Sequence, residues 1–330
     1  MAVFAPSRLV CILALVVSWS CLVEVSDAFS LATPKTHKEL NCTIHPGLTK
    51  YTLDKVRNAK IVMMPYPHVF IEDIFKPDFY PCLLNKLPDG TANSQESPYA
   101  KAYSQRFLVK LMSRTGQPML SEDSKDQTQN QDGDQDEDSS NRDKNSTDPK
   151  DQDFLQASAE AIDKSWWSSF ASMLATRELA KAWVELFDVT TSKRYNKTAE
   201  STKFLYRLDL SRDMTGYQIG PHTDTDKKWV TTLFYLPSSA KHANVGTTLL
   251  KSKTGKTQQK GTKHMKFGPE WETVFAAPFV PNSVMAFAPC WHSWHYVPKV
   301  AEHVMRDTLQ GFIQGFGRTT GRKKVQCGGT

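Results

Sequence analysis

No two cysteines of this chain lie within a few residues of each other, which excludes a zinc knuckle, whose ligands come in closely spaced pairs. The apolar stretch Leu9 to Trp19 falls short of the roughly twenty residues that a comfortable transmembrane helix needs. From Ser121 to Asp153 there is no aromatic and no large aliphatic residue. Such a segment cannot bury enough apolar surface to offset the entropy of ordering it, so 121–153 is expected to be a disordered insertion.

That insertion also distorts the charge. It holds twelve acids against four bases, a balance of −8 that leaves +14 on the rest of a chain whose total is +6. A basic body favours anionic ligands or partners without naming one. A second basic stretch, Lys251 to Lys266, carries six lysines and reads either as a solvated loop or as a lid near an anionic substrate.

Met1 to Ala28 has the form of a secretory signal peptide. Arg8 supplies the positive end, Leu9 to Trp19 the apolar core, and Ser26-Asp27-Ala28 the small residues of a cleavage site. The expected location is the secretory pathway, with an uncleaved signal anchor as an alternative. Ala28-Phe29 also resembles the cleavage motif of algal plastid preproteins with bipartite targeting, and 29–59 is then a transit segment rather than a plain linker. Cleavage leaves Cys42, Cys82, Cys290 and Cys327, which in an oxidising lumen permit one or two disulfides with three full pairings open. Sequons at Asn41, Asn145 and Asn196 permit glycosylation there.

The folded domain is expected over 60–317, followed by a basic tail, 318–330. Lys60 to Met64 reads as a short strand, Val69 to Ile71 as a second, and Asp73 to Leu87 as a helix by its apolar spacing. Phe154 to Phe187 carries two helical stripes separated at Thr176, a plausible N-cap, and these helices are expected to cover one face of a sheet. Beyond them come short strand candidates: Lys203 to Leu210, Trp229 to Leu236, Gly246 to Leu250, Trp271 to Phe275, Ser283 to Ala288 and Thr308 to Phe316. Short strands at this spacing, broken by Gly and Pro turns, indicate a jelly roll or barrel in a β-rich, α+β chain.

Just before one of these strands lies Tyr217-Gln218-Ile219-Gly220-Pro221-His222-Thr223-Asp224. A His and an Asp two residues apart on an extended strand share one side, about 7 Å apart. An imidazole and a carboxylate on one face are two of the three groups that hold non-haem Fe(II). The stretch Trp291-His292-Ser293-Trp294-His295-Tyr296-Val297 offers two candidates for the third, and Arg306-Asp307-Thr308 opens the next strand eleven residues after His295.

His222-x-Asp224, Ser293-x-His295-x-Val297 and Arg306-x-Thr308, in this order, resemble the Fe(II)/2-oxoglutarate-dependent oxygenases, in a branch like the prolyl 4-hydroxylases. The lead-in Arg212-Asp213-x-x-Gly216-Tyr217 and the stretch Pro67 to Asp73 look like the same branch. The resemblance implies a double-stranded β-helix, the cupin-like jelly roll, with supporting helices on one face. It implies His222, Asp224 and His295 as ligands of Fe(II), with His292 as the alternative third ligand. Arg306 would anchor the distal carboxylate of 2-oxoglutarate through its planar fork. Thr308 would add a hydroxyl, and Tyr217 or Tyr206 another. The implied reaction couples decarboxylation of 2-oxoglutarate by O2, giving succinate and CO2, to hydroxylation of a substrate; it leaves room for ascorbate. The substrate is a protein residue, prolyl or other, or else a small molecule; secretion disfavours nucleic acid. A non-catalytic jelly-roll binding module is the rival of a different class. No stable membrane span is expected once the signal is removed.

Overall fold

The computed structural model describes residues 40–88, 100–103, 105–112, 162–195, 199–200, 202–258, 264–315 and 327. The signal and transit readings, the acidic insertion and two of the three sequons, Asn145 and Asn196, lie outside them.

In chain order the elements are α1 (Pro46–Arg57), β1 (His68–Glu72), α2 (Tyr80–Asn85), β2 (Ala100–Tyr103), β3 (Arg106–Met112), α3 (Lys164–Leu174), α4 (Arg177–Leu186) and α5 (Asp188–Tyr195). There follow β4 (Phe204–Asp213), β5 (Ile219–His222), β6 (Lys228–Tyr235), β7 (Thr248–Ser252), β8 (Trp271–Ala276), β9 (Ser283–Phe287), β10 (His295–Val297) and β11 (Arg306–Gly315). Among the described residues they form a seven-stranded sheet, β1-β9-β6-β11-β4-β3-β2, and a four-stranded sheet, β5-β10-β7-β8. Every pairing is antiparallel, and strands distant in sequence are neighbours in both sheets. This is the double-stranded β-helix: a large and a small sheet facing each other.

Alternation along the strands divides the core into two layers. On the outer face of the large sheet, Phe107, Val109, Leu111, Leu208, Leu210, Phe234, Leu309 and Ile313 pack against Leu53, Trp167, Phe170 and Trp183 of the helices. Between the sheets, Tyr235, Met285 and Phe287 meet Ile219, Leu249 and Val297. The expectation of helices on one face holds. Thr176 caps α4 by accepting from the Leu179 amide at 3.2 Å, and Asp163 caps α3 through the Trp166 amide at 3.1 Å.

Four expectations need correction. The helix expected over Asp73 to Leu87 shrinks to Tyr80–Asn85. Its first part is held in another shape by Asn282, whose side chain accepts from the Phe75 amide at 3.0 Å and donates to the Phe75 carbonyl at 2.8 Å. Ile74, Phe75 and Phe79 are still buried, so the apolar spacing reported burial and not helix. The strand expected over Lys60 to Met64 reduces to one bridge, Val62 to His68, because Pro65 and Pro67 lack the amides a ladder needs. The linker reading of 29–59 misses α1, begun by Pro46 and burying Leu48, Thr52, Leu53 and Val56. The tail 318–330 is not simply a basic tail: Cys327 is buried and bonded to Cys290, while Cys42 is bonded to Cys82.

Candidate metal centre

β5 and β10 are antiparallel neighbours, and their register places His295 directly opposite His222. Two histidines separated by β6 to β9 in sequence therefore meet across one ladder, with ring centroids 4.2 Å apart. β5 ends at His222, and the chain turns towards β6 at Asp226 and Lys227, beyond Asp224. The ligand atoms of His222, Asp224 and His295 all lie within 4.8 Å of one another. All three residues are buried.

Each ring is oriented by its own backbone. His222 Nδ1 is 2.9 Å from the Gly220 carbonyl, and His295 Nδ1 is 2.9 Å from the Ser293 carbonyl. With Nδ1 as the N–H that donates to these carbonyls, Nε2 of each ring is the lone pair presented to a metal. The carboxylate is held from β6. Lys228 Nζ donates to Asp224 Oδ1 at 2.7 Å, and Thr231 Oγ1 donates to Oδ2 at 2.5 Å. Lys228 in turn rests 3.8 Å above the Phe312 ring.

The electrostatics suit a cation. Burial would raise the Asp224 carboxyl, but the Lys228 charge, with His295 and His222, outweighs it and holds the group below the usual carboxylate range. Burial, then the neighbouring His295, pushes the His222 imidazole well below its ordinary value, so it is neutral as a ligand must be. His68, its ring tilted against that of Phe275 with centroids 5.3 Å apart, is lowered by burial too. For such histidines the unfolded chain binds more protons than the folded one. The stability of the metal-free protein should therefore fall as the pH drops below about 6.5, and further below about 4, where Asp224 takes up a proton in the unfolded chain but not in the folded one. Urea midpoints measured from pH 7.5 to 4 check this; a midpoint independent of pH would contradict neutral burial.

His292 stands outside the cluster, half-buried, its Nδ1 without a partner and its pKa lowered by burial. The alternative third ligand is thus not the one brought to His222 and Asp224. Arg306 is buried, with Nε donating to the Val245 carbonyl at 2.7 Å, Nη1 to Asp213 Oδ2 at 2.7 Å and Nη2 towards Thr247 Oγ1 at 3.4 Å. Thr247 precedes β7, where Leu249 is the partner of His295. Two residues of strand, about 7 Å, thus separate Arg306's partner from the ligand's partner. Thr308 lies two residues along β11 from Arg306, on the same inward face, and is buried. Tyr217 is buried with the Arg106 guanidinium 4.5 Å from its ring centroid. Tyr206 is on the wrong face: it belongs to the helix-side layer and shares a 3.0 Å hydrogen bond with Thr232.

Several neighbours of the site were not singled out by sequence. Lys228 and Thr231 carry no motif, although Lys228 stands at i+4 from Asp224. The described part of the lysine-rich loop lies against the ligands. Gln258 accepts from Thr223 Oγ1 at 3.0 Å, the Met265 amide donates to the Pro221 carbonyl at 2.8 Å, and the His264 ring lies 4.8 Å from His222. Gly220 has no side chain because a Cβ there would run into the Met265 carbonyl. Lys256 pairs with Glu270 at 3.5 Å, while Lys251, Lys253 and Lys266 are exposed.

With this geometry established, comparison with known proteins adds a likeness of fold. No family model matches the chain, and no curated protein matches it. Solved structures similar to it include 2-oxoglutarate and Fe(II) oxygenases and a non-haem α-ketoglutarate-dependent epimerase. One from Burkholderia pseudomallei, a 2OG-Fe(II) oxygenase family oxidoreductase, is 12% identical and covers 86% of this chain and 97% of its own, with a TM-score of 0.35. A prolyl 4-hydroxylase from Phytophthora capsici is 14% identical over 86% of this chain and 69% of its own, with a TM-score of 0.42. A prolyl hydroxylase from Trichoplax adhaerens, in complex with a hypoxia inducible factor peptide, is 10% identical over 82% and 90%, with a TM-score of 0.35. Likeness at this level decides neither reaction nor substrate, which rest on the residues themselves.

Proposed function

We propose that the protein is a non-haem Fe(II) enzyme that couples the decarboxylation of 2-oxoglutarate to hydroxylation of a substrate. The observation that carries this reading is the buried cluster of His222, Asp224 and His295. Two imidazoles with Nδ1 tied to carbonyls and one ionised carboxylate are the donor set and charge that suit Fe(II). These three residues would hold the metal, which supplies O2 activation when bound; carboxylate ligation fits hydroxylation.

The remaining chemistry belongs to the chain. Arg306 would bind the distal carboxylate of 2-oxoglutarate from the large sheet, with the Thr308 hydroxyl on the same inward face. Tyr217, beneath Arg106, supports that end of the site through the cation above it. Thr231 and Lys228 fix both oxygens of Asp224, so the ligand set is oriented before any metal arrives. Phe287, 4.7 Å from His295, and Tyr66, which donates to the Trp294 carbonyl at 3.1 Å, help exclude water from the ligands.

The substrate is a residue of a protein, prolyl among the candidates, a reading supported by the branch resemblance of 67–73 and 212–222. A secretory lumen is the proposed compartment, supported by the signal-like N-terminus and by two disulfides, which persist in oxidising environments. Asn41 is exposed, as a glycosylation acceptor there must be. No helix among the described residues is long and apolar enough to cross a membrane.

Purified protein given Fe(II) and 2-oxoglutarate under argon should develop a weak visible charge-transfer band, and should form succinate when O2 is admitted. Neither should appear in His222→Ala. Lack of both signals in the unaltered protein would favour a non-catalytic binding module instead.

A further inference from the structure

The inner face of the large sheet becomes accessible at its metal end. Along β4 the residues that alternate with Leu208 and Leu210 of the helix-side layer face into the barrel, among them Asp213, Asp209 and Arg207. Their side-chain exposure rises from 0% at Asp213 through 2% at Asp209 to 19% at Arg207. Register sets Arg207 opposite Phe312 of β11, and Phe312 opposite Thr231 of β6, whose hydroxyl holds Asp224. The centre of the Phe312 ring lies 5.7 Å from the Arg207 guanidinium and 3.8 Å from Lys228 Nζ, the other group that holds Asp224. One ring therefore separates Arg207 from the lysine that fixes the carboxylate ligand.

Arg207 pairs with Asp209 Oδ2 through Nη2 at 2.7 Å, and among the described residues it has no other hydrogen-bond partner. Nε and Nη1 are left as donors. Because Asp209 balances the guanidinium, the pair suits a carbonyl oxygen better than a carboxylate, which would meet the Asp209 charge as well. Gln314, two residues along β11 from Phe312, is partly exposed on the same inward face. Two hydrogen-bonding side chains are thus offset by about 7 Å along the strands, the spacing of alternate carbonyls on an extended peptide. Resting on the function proposed above, we propose that Arg207 and Gln314 are specificity-determining residues that donate to alternate backbone carbonyls of an extended peptide substrate. A proline-rich segment fits them, because its carbonyls have no internal partner and its prolines bring no N–H to be satisfied.

The probe is decaproline, acetylated and amidated so that it carries carbonyls and no charge. The full chain is loaded with Mn(II) and 2-oxoglutarate under argon and titrated with it calorimetrically. Arg207→Gln alone would strand the buried Asp209 charge, so it is combined with Asp209→Asn. This double variant should bind decaproline about tenfold more weakly or worse, the loss expected for a hydrogen bond from a charged donor. Its affinities for Mn(II) and 2-oxoglutarate should stay within about threefold of the unaltered chain. Asp209→Asn alone keeps the guanidinium and should bind decaproline no more than about threefold more weakly. Gln314→Ala, which removes a neutral donor, should cost about threefold. Unchanged decaproline binding in the double variant or in Gln314→Ala would overturn the proposal. So would equal losses of decaproline and 2-oxoglutarate affinity, which would assign Arg207 to the cosubstrate instead. An Asp209→Asn chain as weak as the double variant would also overturn it, since the pair would then act through packing. If the unaltered chain binds 2-oxoglutarate but not decaproline, the prolyl reading of the substrate falls, and this inference with it. If it binds neither, the enzyme reading itself falls.

Discussion

Asp224→Ala is expected to cut 2-oxoglutarate-dependent succinate formation by about a thousandfold or more, because two imidazoles alone neither balance the charge nor complete a face of Fe(II). The same substitution should also destabilise the metal-free fold. Lys228, with only 17% of its side chain exposed, loses the carboxylate that neutralises it, and the Thr231 hydroxyl loses its acceptor. Removing one partner of a buried pair costs about 3–5 kcal/mol, most of it the penalty of an uncompensated charge. The two effects are separable. In Asp224→Ala combined with Lys228→Met no orphaned cation remains, and most of the lost urea stability should return. Metal binding and succinate formation should not return. Recovery of stability and metal binding together in the double variant would mean that Asp224 acts through packing and is not a ligand.

Reduction of the two disulfides should produce the largest change in stability. Cys42–Cys82 and Cys290–Cys327 close loops of 40 and 37 residues. By loop-closure entropy each is worth about 4 kcal/mol. For a domain of this size, each should move the thermal midpoint by about 8–16 °C. Their consequences for the site differ. Cys42–Cys82 joins the segment before α1 to α2, on the helix side. Cys290 lies between β9 and β10, where the Ser293 hydroxyl donates to its carbonyl at 2.9 Å and the Ser293 carbonyl orients His295. Cys42→Ala should therefore lower the melting temperature with little loss of metal affinity, whereas Cys290→Ala should weaken both. Calorimetric melts with and without reductant, beside metal titrations of each variant, measure this. Equal loss of metal affinity in the two variants would remove the link to His295.

Much of the centre was legible because its chemistry is written locally. His222 and Asp224 are two residues apart, Ser293 and His295 belong to one short signature, and Arg306 follows at a fixed interval. What joins them was not legible. The meeting of His222 and His295 is a register across two short strands, β5 and β10, too brief to carry an alternation of their own. Lys228, Thr231 and Arg106 were missed for a related reason. Each is a polar residue in a sheet that reads as ordinary, and acquires meaning only from the side chain placed opposite it. The helix side was readable where stripes and caps agree, as at Thr176. It misled at Ile74 to Phe79, where burial follows a helical spacing although Asn282 supplies the hydrogen bonds. α1 could have been read from Pro46 and the spacing of Leu48, Thr52 and Val56, but its neighbours resemble a linker.

Arg306 is bonded to Val245 and Thr247, which lead into β7, and β7 in turn pairs with the strand that carries His295. The interval between the two ends of the proposed cosubstrate site is therefore a length of backbone. Discrimination among 2-oxo diacids of different carbon number would then work as a ruler, read against two residues of one strand. Such a gauge survives changes to the side chains around it and shifts only when the strand itself slips.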